Sequence, residues 1–133
     1  MAERIEPMID NPAGRAPLLL VCDHASNMVP AHFGSLGLDG STLQDHVAWD
    51  IGALGLARRL AIALDATLVA ASVSRLVVDP NRDHRAYDLI PTTAEDAPIP
   101  GNADLNAQAR AQRISAYHEP FHEAIAAQLA ARP

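Results

Sequence analysis

Leu18-Leu19-Leu20-Val21-Cys22-Asp23-His24-Ala25-Ser26-Asn27 is the stretch from which the fold is read. Five apolar residues run without interruption, then give way to a carboxylate, an imidazole, a hydroxyl and an amide. A short continuous aliphatic run is the pattern of a strand buried on both faces, which is the habit of parallel sheets. Polar groups at the carboxyl end of such a strand stand where open α/β sheets place their ligands.

Outward from that strand, the spacing of Val47, Ile51, Leu54, Leu56, Leu60 and Leu64 predicts a helix over residues 43–64, closing a first βα unit. Thr67 to Val73 has the β-branched content of a second strand, and Leu76-Val77-Val78 reads as a further one, stopped at Pro80. Residues 83–106 are rich in Asp, Pro, Thr and Gly and show no periodicity. A loop of that length in a compact domain is expected to cover a site. Leu105 to Leu129 resumes helical patterning, with an interruption at Pro120. The expectation is one α/β domain over residues 1–133, opening with a polar leader at 1–16.

Of the 133 residues, 49% are apolar and 20% charged, the balance of a soluble globular domain. Aromatics make up only 4%, so the core must be built from Leu, Ile, Val and Ala. A formal charge of -6 without a Lys-rich run argues against a general nucleic-acid binder. Cys22 is the only cysteine, which excludes an intrachain disulfide and a C-x-x-C knuckle and fits a reducing compartment. Met1 to Pro17 lacks a signal-peptide core, and the longest apolar run falls far short of the roughly 20 residues a membrane span needs. A cytoplasmic location with no membrane partner is the default expectation.

Three polar clusters fall at predicted strand ends or helix starts: Asp23-His24-Ala25-Ser26-Asn27, His46-Val47-Ala48-Trp49-Asp50, and Arg75 with Asp79-Pro80-Asn81-Arg82. A catalytic zinc takes three nitrogen or oxygen ligands and keeps one position for water. His24 is a candidate first ligand. Asp50 is either a second ligand or a helix N-cap, a role its residue type suits equally. His46, one predicted turn earlier, is a candidate supporting partner. Arg75, Asn81 and Arg82 bring forked donors and an amide to one place, the chemistry that holds a substrate carboxylate. Arg75 alone is equally well read as a structural ion pair with Asp79.

His118-Glu119-Pro120-Phe121-His122 formally matches the H-E-x-x-H pattern of zinc proteases. That motif needs both imidazoles on one face of an unbroken helix, whereas Pro120 lacks an amide donor and disfavours helical geometry at Glu119. Pro120 fits better as the first residue of a new helical turn with His118 just outside it.

Taken in order, Val21 to Asn27, His46 to Ala53, Ser74 to Arg82, Ile90-Pro91, Pro98 to Asn102 and Tyr117 to His122 resemble the N-formylglutamate amidohydrolase family. The resemblance covers nearly the whole chain after the leader. It implies a three-layer α/β/α sandwich with a mostly parallel sheet, similar to the zinc carboxypeptidases and aspartoacylases. It also implies zinc-dependent hydrolysis of N-formyl-L-glutamate, or a related N-acyl amino acid, in histidine degradation.

In that wider clan an H-x-x-E pair opens the zinc site and an Asn-Arg dipeptide grips the substrate carboxylate. His24 and Asn81-Arg82 match these roles. Asn27 stands where the glutamate would be, which leaves Asp50 as the substitute candidate. Asp23, Asp79, His118 and His122 carry no assigned role beyond support of the site. Family members are substantially longer and place a further His and a general-base Glu later, positions that neither Glu119 nor Glu123 matches. The chain is therefore expected to be the N-terminal half of such an enzyme. Two rivals stand beside that reading: a catalytically silent carboxylate-binding module, and a fragment with an unfilled sheet edge that associates with itself or with a partner half.

Overall fold

The computed structural model describes residues 3–132. The aliphatic run forms strand β2 (Leu19–Cys22), which pairs in parallel with β3 (Thr67–Ala70) in the register Leu19↔Thr67 to Cys22↔Ala70. The polar leader contributes β1 (Met8–Asp10), antiparallel to β3, so the sheet order is β1-β3-β2. Alternation along the strands sends successive side chains to opposite faces. On one face Leu20, Cys22, Leu68 and Ala70 pack with Ala61 of helix α2 (Ala53–Leu64). On the other, Leu19, Val69 and Ala71 meet Phe121 and Ile125 of helix α4 (Glu119–Ala130). The architecture is a small mixed α/β domain with helices on both faces of the sheet. Only one of the two strand pairs in this three-stranded sheet is parallel, so the mostly parallel three-layer sandwich is not displayed in full by these residues.

Two predicted elements come out shorter, and a third is not an element at all. The helix expected from residue 43 begins at Ala53, because Gly52 lies in the left-handed region (φ 84°) and interrupts any helical path from upstream. Before it come only the single turn α1 (Gly40–Leu43) and a chain of turns. The second strand ends at Ala70 rather than Val73. Leu76-Val77-Val78 is buried but folded as a turn: the Ser74 hydroxyl accepts from Leu76 N–H at 3.2 Å, and its carbonyl accepts from Val77 N–H at 3.0 Å. A serine hydroxyl that satisfies nearby backbone donors offers the chain an alternative to a strand ladder.

The largest apolar cluster lies among the connections, where Leu36, Ala48, Leu76, Val77, Leu89, Ile99 and Tyr117 come together. Arg113, at the end of α3 (Ala107–Arg113), reaches into it. Its guanidinium donates to Val77 O (3.0 Å), Asn102 Oδ1 (2.6 Å) and Gly101 O (3.2 Å), and lies 4.4 Å from the Phe33 ring centroid. Asn102 in turn donates to the carbonyls of Leu76 and Pro91, both at 2.7 Å. Buried polar groups satisfied in this way fix the segment 83–106, which contains the small hairpin β4 (Thr93–Ala94) and β5 (Ala97–Pro98), against the turn that follows β3.

Pro120 leaves its mark on the last helix. Residues 114–118 form a π-helical turn between α3 and α4, so the backbone stays helical through Pro120. Proline cannot donate to the carbonyl four residues back, and that carbonyl, of Ala116, accepts instead from Ile5 N–H at 2.9 Å. A local defect thereby tethers the N-terminal segment.

Candidate metal and carboxylate site

The carboxyl end of β2 delivers His24 into a buried position, 6% exposed. Its two ring nitrogens face two different carboxylates. Nε2 lies 2.7 Å from Asp79 Oδ1, and Nδ1 lies 3.4 Å from Asp50 Oδ2, with Asp23 Oδ1 farther off at 4.0 Å. Backbone hydrogen bonds hold both neighbours. Asp50 N–H donates to His24 O at 2.9 Å, while Asp79 N–H donates to Leu89 O at 2.8 Å and Asp79 Oδ1 accepts from Asn81 N–H at 2.9 Å. Arg75 closes the group, with Nη1 3.5 Å from Asp50 and Nη2 3.6 Å from Asp79.

Burial disfavours the His24 imidazolium, but the hydrogen bond and charge of Asp79 outweigh burial and the opposing Arg75, and the pKa is raised from 6.5. Asp79 is the reciprocal case. Burial works against its carboxylate, yet His24, the Asn81 amide and Arg75 together bring its pKa below 3.8. Because an ionised Asp79 can only accept, Nε2 of His24 carries hydrogen, and Nδ1 is the nitrogen turned toward Asp50.

This donor set fits two corners of a zinc site. Ligands held at about 2.05 Å at the tetrahedral angle stand about 3.3 Å apart, close to the 3.4 Å between His24 Nδ1 and Asp50 Oδ2. A histidine ligand whose other nitrogen donates to a carboxylate is the usual support for such a metal. Among the described residues no group of three or more His, Cys, Asp or Glu side chains is placed to hold a metal ion, so the set stops at two. Asp50 is not a helix cap: Gly52 occupies that position, and Asp50 is half exposed, with a side chain 51% accessible.

The other predicted residues separate into those that join this group and those that do not. Asn27 donates its side-chain amide to Leu43 O at 2.8 Å, a structural bond. His46 is exposed and holds Asp45 (2.9 Å) and Glu95 (2.7 Å) instead of supporting Asp50; the turn that replaces the predicted helix breaks the one-turn relation. Glu95 sits on the β4–β5 hairpin, so this contact fastens the loop over a cavity of about 320 Å³ walled by Arg75, Asp79, Arg82 and Asp88. The loop expected to cover a site thus covers this cavity. Arg82 gives Nε to Asp88 Oδ2 at 3.2 Å. Asp88 escaped the sequence reading; its only signal is an acidic residue six positions beyond Arg82.

Arg82 also faces a second, larger cavity of about 610 Å³, lined by Asn81, His84, His118, Glu119, His122 and Glu123. Size alone would favour the larger cavity as the binding site. The smaller one is nevertheless the better candidate, because it shares Arg75 and Asp79 with the His24 group. His118 Nε2 donates to Arg82 O and His122 Nε2 to Pro80 O, each at 2.8 Å, and the rings stand 4.5 Å apart. The continuous helix that a protease motif requires is present. Its two imidazoles, however, each give Nε2–H to a carbonyl on either side of Asn81, and among the described residues neither belongs to a group of three or more His, Cys, Asp or Glu placed to hold a metal ion. Burial lowers the His118 pKa further.

No helix among the described residues is long and apolar enough to cross a membrane. No curated protein matches the chain. A solved structure, the product of gene Atu2144 from Agrobacterium tumefaciens, matches with a TM-score of 0.92 and 42% identity over 94% of this chain. The chain spans 50% of that protein's length. The family model of N-formylglutamate amidohydrolase matches residues 16–133. With that match over most of its length, the chain belongs to the N-formylglutamate amidohydrolase family.

Proposed function

We propose that this chain carries the His24–Asp50 portion of a zinc-dependent amidohydrolase acting on N-formyl-L-glutamate or a related N-acyl amino acid. Family membership supports the hydrolase class. The observation that carries the metal reading is His24 itself, held by the buried Asp79 on one nitrogen and turned toward Asp50 with the other. A zinc ion supplies Lewis acidity there, polarising an amide carbonyl and acidifying water.

The chain's own side chains do the rest. His24 Nδ1, unprotonated, and Asp50 Oδ2 would hold the cation, while Nε2 keeps its hydrogen toward Asp79. Asp79 keeps the imidazole in one tautomer and one orientation. Arg75 neutralises part of the carboxylate charge of Asp50 and Asp79. Arg82 receives a substrate carboxylate at the mouth of the 320 Å³ cavity by exchanging its contact with Asp88, while Asn81 lines the larger cavity on the other side. A third ligand and a general base are drawn from residues outside this set, within an assembled three-layer sandwich. The cytoplasm is the proposed compartment.

The test is zinc titration of the purified chain, wild type and His24→Ala, with formate release from N-formyl-L-glutamate measured alongside. Zinc uptake that depends on His24 is the expected result. Uptake unchanged in His24→Ala would sink the metal reading, and carboxylate binding that survives without any zinc would favour the silent binding module.

A further inference from the structure

The β4–β5 hairpin is fixed at its base and held at its tip by one side chain. At the base Ile90 and Ile99 are buried, Asn102 donates to Pro91 O at 2.7 Å, and Ile99 N–H donates to Thr92 O at 2.9 Å. Beyond that base Thr93, Glu95, Asp96, Ala97 and Pro98 are all exposed. Two strands of two residues have little stability of their own. The turn between them puts Glu95 (φ 49°) and Asp96 (φ 66°) in the left-handed region, where asparagine and glycine are the usual occupants. Among the described residues, the one side-chain bond from this tip to the body joins Glu95 Oε1 to His46 Nε2 at 2.7 Å. Both side chains line the 320 Å³ cavity and both are about two-thirds exposed, so they meet at its rim.

The contact depends on the protonation of one ring. His46 faces a carboxylate with each nitrogen, Asp45 Oδ1 at 2.9 Å from Nδ1 and Glu95 Oε1 at 2.7 Å from Nε2. An ionised carboxylate only accepts, so both contacts are hydrogen bonds only while both nitrogens carry hydrogen, as in the imidazolium. A neutral ring keeps one N–H. Asp45 is the partner that retains it, because the same Oδ1 also accepts the His46 backbone N–H at 2.8 Å and belongs to the adjacent residue. The bare Nε2 lone pair then faces the Glu95 carboxylate, and attraction turns to repulsion. Across the cavity Arg82 is paired with Asp88, and Arg75 with Asp50 and Asp79, so none of these charges takes the place of either partner of His46. An exposed ion pair is too weak to bear on global unfolding. It suffices for six residues that have no other side-chain tie.

We infer that the β4–β5 hairpin is a flap over the 320 Å³ cavity, latched by Glu95 on the doubly protonated His46 ring and released when Nε2 gives up its proton to solvent. The hydrogen bonds and charges of Asp45 and then Glu95 raise the His46 pKa from 6.5, so the latch is complete below that value and is lost as pH rises through the folded one. Opening exposes Arg82 and Asp79, whatever ligand the cavity takes. The device therefore stands or falls independently of zinc and of the substrate proposed above.

The experiment places nitroxide labels at Ser41→Cys on α1 and Ala97→Cys on the flap, both exposed positions, in a Cys22→Ser background. Electron paramagnetic resonance then gives the distance between them at about pH 5.5 and about pH 9, on either side of the histidine range. One short, narrow distribution is expected at the lower pH. At the higher pH a longer, broader one should gain roughly threefold in population, the scale of one exposed ion pair. Glu95→Ala is expected to be open at both values. Asp45→Asn is expected to stay closed at both, because the asparagine amide donates to Nδ1 and leaves the remaining N–H for Glu95. Circular dichroism confirms that each variant is folded. A wild-type distribution indifferent to pH, a closed Glu95→Ala, or an Asp45→Asn that opens like wild type would each overturn the proposal. A label-free measure is amide exchange at Ala94 and Ala97 of the unaltered chain, corrected for intrinsic rates. Protection should fall roughly threefold between the two pH values, and unchanged protection overturns the proposal.

Discussion

His24 and the pair of buried His118 and exposed His122 all stand beside the segment Asp79–Arg82, yet they serve opposite ends. His24 has a carboxylate at each nitrogen, 2.7 Å and 3.4 Å away. His118 and His122 each give a nitrogen to a backbone carbonyl at 2.8 Å. In sequence the second pair has the better-known metal spacing, and the lone His24 has none. A histidine's use is set by what its ring nitrogens face. At His24 the second nitrogen also faces a carboxylate, so two metal-type donors converge, whereas the bonds of His118 and His122 tie the Arg82 and Pro80 carbonyls to the helix.

The largest effect that would sharpen this contrast is on metal uptake. His24→Ala is expected to abolish zinc binding in a titration followed by equilibrium dialysis, whereas His118→Ala and His122→Ala retain it. Zinc lost in the latter two and kept in the former would invert the comparison. Next comes Asp79→Ala, which strands a buried imidazole and removes the acceptor of Asn81 N–H. It is expected to cost about 3 kcal/mol in urea unfolding and to weaken zinc binding roughly 10–100-fold. An effect on metal without one on stability would mean that Asp79 is not structurally coupled to His24.

His122→Ala should cost about 0.5–1.5 kcal/mol, the net worth of one hydrogen bond, and should leave zinc uptake unchanged. The pH dependence of stability separates the clusters more gently. His24 has a raised folded pKa, so its contribution is complete below 6.5 and drains away as pH rises through the folded value. Asp79 has a lowered folded pKa, so its contribution is present above 3.8 and is lost as pH falls through the folded value. Urea midpoints of the metal-free chain should therefore show this pair's share at full strength between those limits and declining on the alkaline side. The decline should be absent in Asp79→Asn; persistence there would assign it to another group. The smallest expected effect is that of His46→Ala: with partners fully in solvent, the substitution should leave the midpoint unmoved.

The segment 74–82 shows how far local reading carries. Its apolar content marks Leu76, Val77 and Val78 as core, and they are buried. The same content suggests a strand, and the Ser74 hydroxyl makes it a turn instead, because two hydrogen bonds close at hand compete with a ladder that no neighbouring strand completes. Likewise the four-residue repeat of Leu56, Leu60 and Leu64 was legible as helix, but not as a flank outside the core. Periodicity records that a face is apolar; it does not say which neighbour covers it.

By itself the sequence determined that β2 exists and ends in polar groups, that a helix leads to Leu64, that the core is aliphatic, and that Asp79, Asn81 and Arg82 travel together. These follow from short-range rules in which a residue and its near neighbours suffice. Only the tertiary structure decided that Asp79 stands behind His24, that His46 fastens a loop, and that Pro120 is absorbed by a π turn whose spare carbonyl accepts from Ile5. The physical reason is common to all three. Each depends on which acceptor a donor meets across 49 to 111 positions of chain, and hydrogen-bond partners at that range are chosen by packing, not by adjacent residue type.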